Sequence, residues 1–375
     1  MKNLKIPLVI PEMPKAEELM PWLSQIDKNK IYTNFGPLNT KFENLLRNTF
    51  KDSANLHIAT VSNCTIGIEL ALNSLNLKKG SSVLVPSLTF AATATAIISC
   101  GFMPIFSDID PHAWILTPEI AFENLKFNNI DAVVPVSTFG IRQDVAEWDK
   151  FTKETGVPVV IDAASAFSNQ DIGRTTSAVF SLHATKSLGC GEGGFIASRN
   201  SSFMAEVKTM SNFGIVGQNY KGYIDRAGTN AKLSEYHAAV GLASLQRWEI
   251  IKKMNISNYR YYLEKLIEAK INFTVQTQDE FRNHTLLPIR LEVTNKNEID
   301  TLIEKLAAVG IQTRRWYYPL LHEYACFKGI ARNKNIPNAE RISNDIIGLP
   351  FYPSITSEEI DYVVNNLKNF RNLKK

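Results

Sequence analysis

Long runs of one charge are missing from this sequence: 41 Lys and Arg stand against 37 Asp and Glu, a net of +4 spread over 375 residues. That balance excludes the concentrated basic surface expected of a nucleic-acid binder. Only residues 368–375 are locally basic, and a solvated end accounts for them. Cysteine is scarce. Cys64, Cys100, Cys190 and Cys326 lie far apart, with no CxxC pair and no histidine at metal-ligand spacing. Neither a disulfide framework nor a zinc site follows, and no metal is expected. An apolar leader is also lacking, because MKNLKIPLVIPEMPKAEE breaks its apolar stretch with prolines and acids. The reading is a cytoplasmic protein without a signal peptide. Residues 80–107 carry no charge at all, but Pro86, Gly101 and Pro104 divide them into strand, helix and strand of a soluble core rather than one membrane span.

What is present is the material of a large α/β protein, 45% hydrophobic and 21% charged. Apolar, β-branched runs at 82–86, 103–106, 132–136, 157–161, 178–182 and 195–198 alternate with helix-length segments at 66–77 and 89–99. Near-continuous apolar strands are those buried on both faces, which predicts a mixed, mostly parallel sheet flanked by helices. After Ser234 helical periodicity runs unbroken for some thirty-five residues. A strand at 285–293, a helix capped near 294–297 and stopped at Gly310, and a closing helix at 357–373 follow. The expected division is a large domain with an N-terminal arm over residues 1–240, then the connecting helix and a small α+β domain over 241–375.

Three constellations carry chemistry. Lys186 stands between a strand and the glycine-rich turn of Gly191, Gly193 and Gly194, with Ser181 five residues before it. Partial desolvation there would lower its pKa and make it a nucleophile for a carbonyl, whereas most lysines in loops are solvated surface groups. Asp162 ends the all-apolar run Val159-Val-Ile. A buried carboxylate calls for a cationic partner, although a cap of the next segment is the structural alternative. Finally, Asn63-Cys64-Thr65 precedes an apolar helix, where free N–H groups and a hydroxyl make an anion site, or an ordinary N-cap. A lysine nucleophile, a buried aspartate and a phosphate cradle are together the parts a pyridoxal phosphate (PLP) enzyme needs.

With these go Thr33-Asn-Phe-Gly-Pro37, Val85-Pro-Ser-Leu-Thr-Phe90-Ala-Ala-Thr93, Asp108-Ile-Asp110, Val134-Pro-Val136 with Phe139-Gly140, Gly228-Thr-Asn230-Ala-Lys-Leu-Ser-Glu235 and Leu349-Pro350. In this order and spacing the chain resembles, over nearly its whole length, the DegT/StrS-type sugar aminotransferases. The resemblance implies the aspartate aminotransferase-like fold, PLP fold type I. It implies that Lys186 holds the cofactor and shuttles the reaction's proton, that Asp162 pairs with the pyridine nitrogen, and that Phe90 stacks on the ring. Thr65, Ser181 and the backbone around Cys64 and Ile66 would hold the phosphate. Asn230 would reach the phosphate of a neighbouring subunit, which makes a homodimer the working unit. Ser165 is expected at the cofactor, where relatives often carry a Gln that contacts the ring hydroxyl and this shorter side chain leaves that contact to water or another group; relatives often carry Gly or Ser where Cys64 stands. A subset carries histidine in place of Lys186 and dehydrates its sugar; lysine here implies transamination.

The same resemblance implies an amino donor, L-glutamate, and a keto sugar acceptor, foremost a nucleotide-linked 3-keto- or 4-keto-6-deoxyhexose for a surface polysaccharide such as the O-antigen of lipopolysaccharide. A PLP-dependent sugar dehydratase, a non-nucleotide keto sugar such as a keto-octulosonate, and a non-catalytic regulator that kept the fold are the alternatives. On the substrate side, Arg314, Arg315, Tyr317, Tyr318 and His322 occupy the place where relatives line the pocket, and Arg forks suit a carboxylate or a pyrophosphate. Tyr32 and Asn34 are similar candidates. His183 reads as a packing or hydrogen-bonding neighbour of the lysine.

Overall fold

The computed structural model describes residues 5–216, 223–224, 226–277, 282–293, 297–329 and 335–372. Its central sheet is built from β1 (His57–Val61), β2 (Ser82–Pro86), β3 (Met103–Ser107), β4 (Ala132–Val133), β5 (Val160–Asp162), β6 (Ser177–Ser181) and β7 (Gly194–Ser198). β2 pairs in parallel with β3 and β4, β5 pairs in parallel with β6, and the parallel bridges Val133–Val159 and Val136–Asp162 join the two halves. The order is β3-β2-β4-β5-β6-β7-β1, and β7 alone runs against its neighbours. The mixed, mostly parallel sheet expected from the apolar runs is therefore present. β4 proper covers only Ala132–Val133 of the 132–136 run, but the run stays bonded to its neighbours through Val134 N to Leu84 O and the Val136–Asp162 bridge before the 3-10 turn Thr138–Gly140.

Local chemistry explains the helix starts. Asn63 opens the Cys64–Asn73 helix by accepting from Ile66 N, and Ser234 opens the Glu235–Glu268 helix by accepting from His237 N. The first of these begins two residues before the expected 66 and ends at Asn73 rather than 77, since the cap asparagine, not the first apolar residue, sets the start. Gly156, with φ 74°, closes the Val145–Thr155 helix as a left-handed cap.

Beyond the long helix, β8 (Phe273–Thr274), β9 (Leu287–Leu291) and β10 (Ile346–Leu349) form an antiparallel sheet in the order β10-β9-β8. The Asn297–Ala308 and Ser357–Asn372 helices pack with it through Ile299, Leu306, Val363 and Leu367. Of the cap region expected at 294–297, residues 294–296 lie outside the described residues and Asn297 is the first residue of the helix; residues 373–375 of the basic end also lie outside. The Glu235–Glu268 helix serves both cores: Ala239, Leu242 and Trp248 pack under the large sheet, and Tyr259, Tyr262 and Leu266 pack under the small one. A third cluster, with Leu8, Trp114, Phe139 and Trp316, fills the seam between the two. Among the described residues no helix is long and apolar enough to cross a membrane, and residues 80–107 form β2, the Ala91–Ser99 helix and β3.

Candidate active site

A cavity of about 600 Å³ opens at the C-terminal ends of β5 and β6, where parallel strands hand over to loops. Lys186, Asp162, Asn63, Cys64, Thr65 and Ser181 all line it, so residues separated by more than a hundred positions share one chamber. Phe90, Ser165, His183, Arg314 and Tyr317 line it too.

Asp162 is the last residue of β5 and only 4% exposed. Its Oδ2 accepts from the Thr93 hydroxyl at 2.6 Å and its Oδ1 from the backbone N–H of Ala164 at 3.0 Å. Burial nevertheless raises its pKa above the ordinary carboxylate value, with the two hydrogen bonds and Lys186 pulling the other way. The carboxylate thus supports the expected need for a cation and also makes the short-range turn bond of the structural alternative. Lys186 Nζ donates to Ser165 Oγ at 3.0 Å. Burial lowers the pKa of this amine, opposed by Cys64 and Asp162, which favours the neutral, nucleophilic form. The Cys64 thiol is pushed up by burial and by Asp162, so it stays a thiol.

The N-terminus of the Cys64–Asn73 helix points into the chamber beside Ser181. Asn63 Oδ1 satisfies Ile66 N at 2.9 Å, which corrects the expectation that Ile66 offers its N–H to a phosphate. Cys64 N and Thr65 N are left as first-turn donors, with the Thr65 hydroxyl alongside. Gly194 makes this approach possible, because a Cβ there would stand 2.9 Å from Cys64 N and 2.9 Å from Phe180 O. An anion cradle, a buried carboxylate and a buried amine are the donor set that fits PLP, for its phosphate, its ring nitrogen and its carbonyl in turn.

Phe90, 59% exposed, caps the Ala91–Ser99 helix and faces the opening, its ring 6.4 Å from Tyr317. Tyr317 stacks on Phe139 at 5.5 Å and 6°, and burial and Asp162 raise its pKa. His183 Nδ1 lies 2.8 Å from Thr185 Oγ1 and 3.2 Å from Thr185 N, and Nε2 faces Glu192 at 3.7 Å.

Some expected site residues stand elsewhere. Arg315 is 9% exposed and bound to Asp300, to the carbonyls of Ser343 and Asn344, and to the face of Tyr318 at 3.6 Å. Both Arg315 and Tyr318 therefore support the small domain rather than line the cavity. His322 packs its ring 6.5 Å from Phe106, also away from the lining. Tyr32, Asn34 and Asn230 are exposed outside this chain's own cavity; Tyr32 stacks on Tyr236 at 6.2 Å and Asn230 accepts from Lys232 at 2.8 Å.

Residue-by-residue reading missed two groups inside the quoted motifs. Thr93, one turn after Phe90, is the donor to Asp162. Glu235, 1% exposed, accepts Leu38 N and Asn39 N at 2.8 Å each and so ties the Gly36-Pro37 segment to the long helix. The signal for Glu235 was its place directly after a serine cap, where a buried carboxylate needs donors from another segment.

The profile of the DegT/DnrJ/EryC1/StrS aminotransferase family matches residues 14–368. The dTDP-4-amino-4,6-dideoxy-D-glucose transaminase of Shigella dysenteriae is 26% identical over 367 residues, 96% of this chain and 98% of that protein. A crystal structure from Bacillus cereus superposes with a TM-score of 0.88 at 30% identity, covering 96% of this chain and 99% of its own. DesI, solved in the presence of its TDP-sugar product, gives 0.86 at 27% identity, covering 99% and 96%.

Proposed function

The chain belongs to the DegT/DnrJ/EryC1/StrS aminotransferase family, and from that premise we propose that it transfers an amino group from L-glutamate to the keto group of a nucleotide-linked 6-deoxyhexose. One observation carries the reading: a buried amine, a buried carboxylate and a helix N-terminus whose Cys64 and Thr65 N–H groups face inward converge in a single 600 Å³ chamber. The aspartate aminotransferase-like fold and PLP as cofactor go with the family. PLP supplies a carbonyl that accepts the amino group and a protonated ring that draws electrons away from the donor carbon.

The chain's own residues do the rest. Thr65, Ser181 and the N–H groups of Cys64 and Thr65 bind the phosphate and fix the register of the ring. Asp162, held by Thr93 and Ala164, keeps the ring nitrogen protonated. Lys186 Nζ would hold the cofactor's carbonyl carbon and, as the free amine, would carry the proton from the donor α-carbon to that carbon, on the other side of the transferred nitrogen. Ser165 Oγ accepts from that amine when it is free, as it does here at 3.0 Å. Phe90 covers one face of the ring, and Arg314, exposed on the cavity wall, faces a donor carboxylate or a sugar-nucleotide phosphate.

Asn230, Tyr32 and Asn34 would complete the chamber of a second copy, which is why they stand exposed outside their own; the working unit is then a cytoplasmic homodimer. The two packing clusters that share the long helix support the division into 1–240 and 241–375. A product bound for a surface polysaccharide is the role most in keeping with such sugars. The sugar relatives named above support the acceptor class.

The test is an absorbance spectrum of the purified protein with PLP, before and after L-glutamate. A yellow band that bleaches to the pyridoxamine form supports cofactor, Lys186 and donor together. Colour without bleaching overturns the donor, and absence of colour overturns the reading. A panel of keto sugars then identifies the acceptor, and loss of water without use of glutamate would reveal a dehydratase instead.

A further inference from the structure

A second, smaller cavity of about 30 Å³ lies beside Lys186, lined by Glu12, Ser187, Asn255 and Thr285 among others. It shares Val9, Thr185, Lys186 and Thr285 with the large chamber, so these residues form the partition between the two. Three of its walls present polar atoms that have no hydrogen-bond partner among the described residues: Ser187 Oγ, Asn255 Oδ1 and Thr285 Oγ1. Asn255 is only 2% exposed, and its amide is already oriented by the bond from Nδ2 to Asn283 Oδ1 at 2.9 Å. Orphan polar atoms buried in this way cost on the order of 1–3 kcal/mol each unless something satisfies them. Three different segments supply them: the lysine loop, the long helix and the approach to β9.

A cavity needs roughly 10–15 Å³ of this kind to hold one water and two to four polar partners to keep it. The small cavity meets both conditions for about two waters. We propose that it is a water-binding site giving Lys186 a hydrogen-bonded route to solvent that does not pass through the substrate chamber. Its outer wall includes Glu12, partly buried and 3.9 Å from Arg247, which brings the route to the protein surface. On the chamber side the only protein partner of Lys186 Nζ among the described residues is Ser165. A closed substrate chamber would otherwise isolate the amine from bulk water at the moment it carries a proton. The route lets that proton exchange while substrate is bound.

Two measurements test this. The first is independent of the function proposed above: diffraction from the purified protein at about 1.8 Å or better. It should show ordered water within hydrogen-bond distance of at least two of Ser187 Oγ, Asn255 Oδ1 and Thr285 Oγ1. Those side chains turned onto protein partners, with no water density, would overturn the site. The second rests on the aminotransferase reading and uses glutamate deuterated at the α-carbon, following the deuterium kept in the pyridoxamine product. In wild type, exchange through the route washes deuterium out. The variants Ser187→Ala and Thr285→Val, alone and combined, should retain several-fold more. Equal retention in variants that fold and bleach normally overturns the route. If wild type never bleaches with glutamate, the functional reading has failed instead, and the diffraction result alone decides the water site.

Discussion

The Thr93 hydroxyl donates to Asp162 Oδ2 at 2.6 Å across 69 positions of chain, a contact between the helix after β2 and the end of β5. It holds a carboxylate whose burial opposes its own ionisation. Thr93→Val keeps the shape of the side chain and removes the donor. We expect PLP affinity to fall about tenfold, in line with a hydrogen bond to a charged group worth roughly 1.5–3 kcal/mol. Spectroscopic titration with PLP checks this, and unchanged affinity would refute the support role of Thr93.

The raised pKa of Asp162 also sets a pH dependence for the cofactor-free protein. A carboxyl whose folded pKa exceeds its unfolded value binds its proton more tightly when folded. Its contribution is therefore full below the ordinary value of 3.8 and declines as pH rises toward the folded value. Asp162→Asn removes this decline. Compared by urea denaturation from pH 4 upward, the variant should gain on wild type as pH rises. Adding PLP should reverse the order, because the ring nitrogen then stabilises the charged form. A constant difference across pH would contradict the assignment.

At Gly194 the expected effect is steric. An alanine Cβ would meet backbone atoms of Cys64, Asn63 and Phe180 at 2.9–3.0 Å, and backbone cannot rotate away. Gly194→Ala should cost about 1–3 kcal/mol, the usual range for overpacking, and weaken phosphate binding as the helix N-terminus is displaced. Thermal melting and inorganic phosphate competition against PLP measure the two effects. A fully stable variant with native PLP affinity would show that the cradle does not depend on this approach.

Arg314 and Arg315, neighbours in sequence, should behave oppositely. Arg315→Ala leaves the Asp300 carboxylate, the Ser343 carbonyl and the face of Tyr318 without their partner, and should lower stability by about 1–3 kcal/mol. Arg314→Ala should leave the melting temperature within a degree or two and raise the KM of an anionic substrate about tenfold or more. Steady-state kinetics with glutamate and a nucleotide sugar varied in turn identify which anion it serves. If Arg314→Ala melts early and Arg315→Ala does not, the placement is wrong.

Glu235 joins two of the recognised motifs physically, since its carboxylate closes the N-terminus of the Pro37–Asn48 helix. Gly36 belongs to the same arrangement: a Cβ there would come within 2.6 Å of the Glu235 carboxyl carbon. Glu235→Ala should cost about 2–3 kcal/mol through two orphaned N–H groups, and Glu235→Gln about half of that. Denaturant midpoints of the two variants provide the comparison, and equal loss in both would mean that charge rather than acceptor geometry matters.

By itself the sequence determined the alternation of buried strands and helices and the long helix after Ser234, and it singled out Lys186, Asp162 and Thr65, which the fold brings to one cavity. These are legible because burial on both sheet faces, helical periodicity and glycine-rich turns are local patterns written in neighbouring residues. It also carried Thr93 and Glu235 within its motifs without disclosing their roles. Only the tertiary structure decided those, because a hydroxyl or a carboxylate acquires its partner from a segment 69 or nearly 200 positions away. The same holds for Arg314 and Arg315: identical side chains at adjacent positions face opposite environments, one toward the chamber and one into the packing of Asp300 and Tyr318. The cap at Asn63 took Ile66 out of the anion site for a geometric reason, since one side-chain oxygen reached that N–H first. Composition and spacing select which groups are available, and distance and burial in the folded chain select which of them meet.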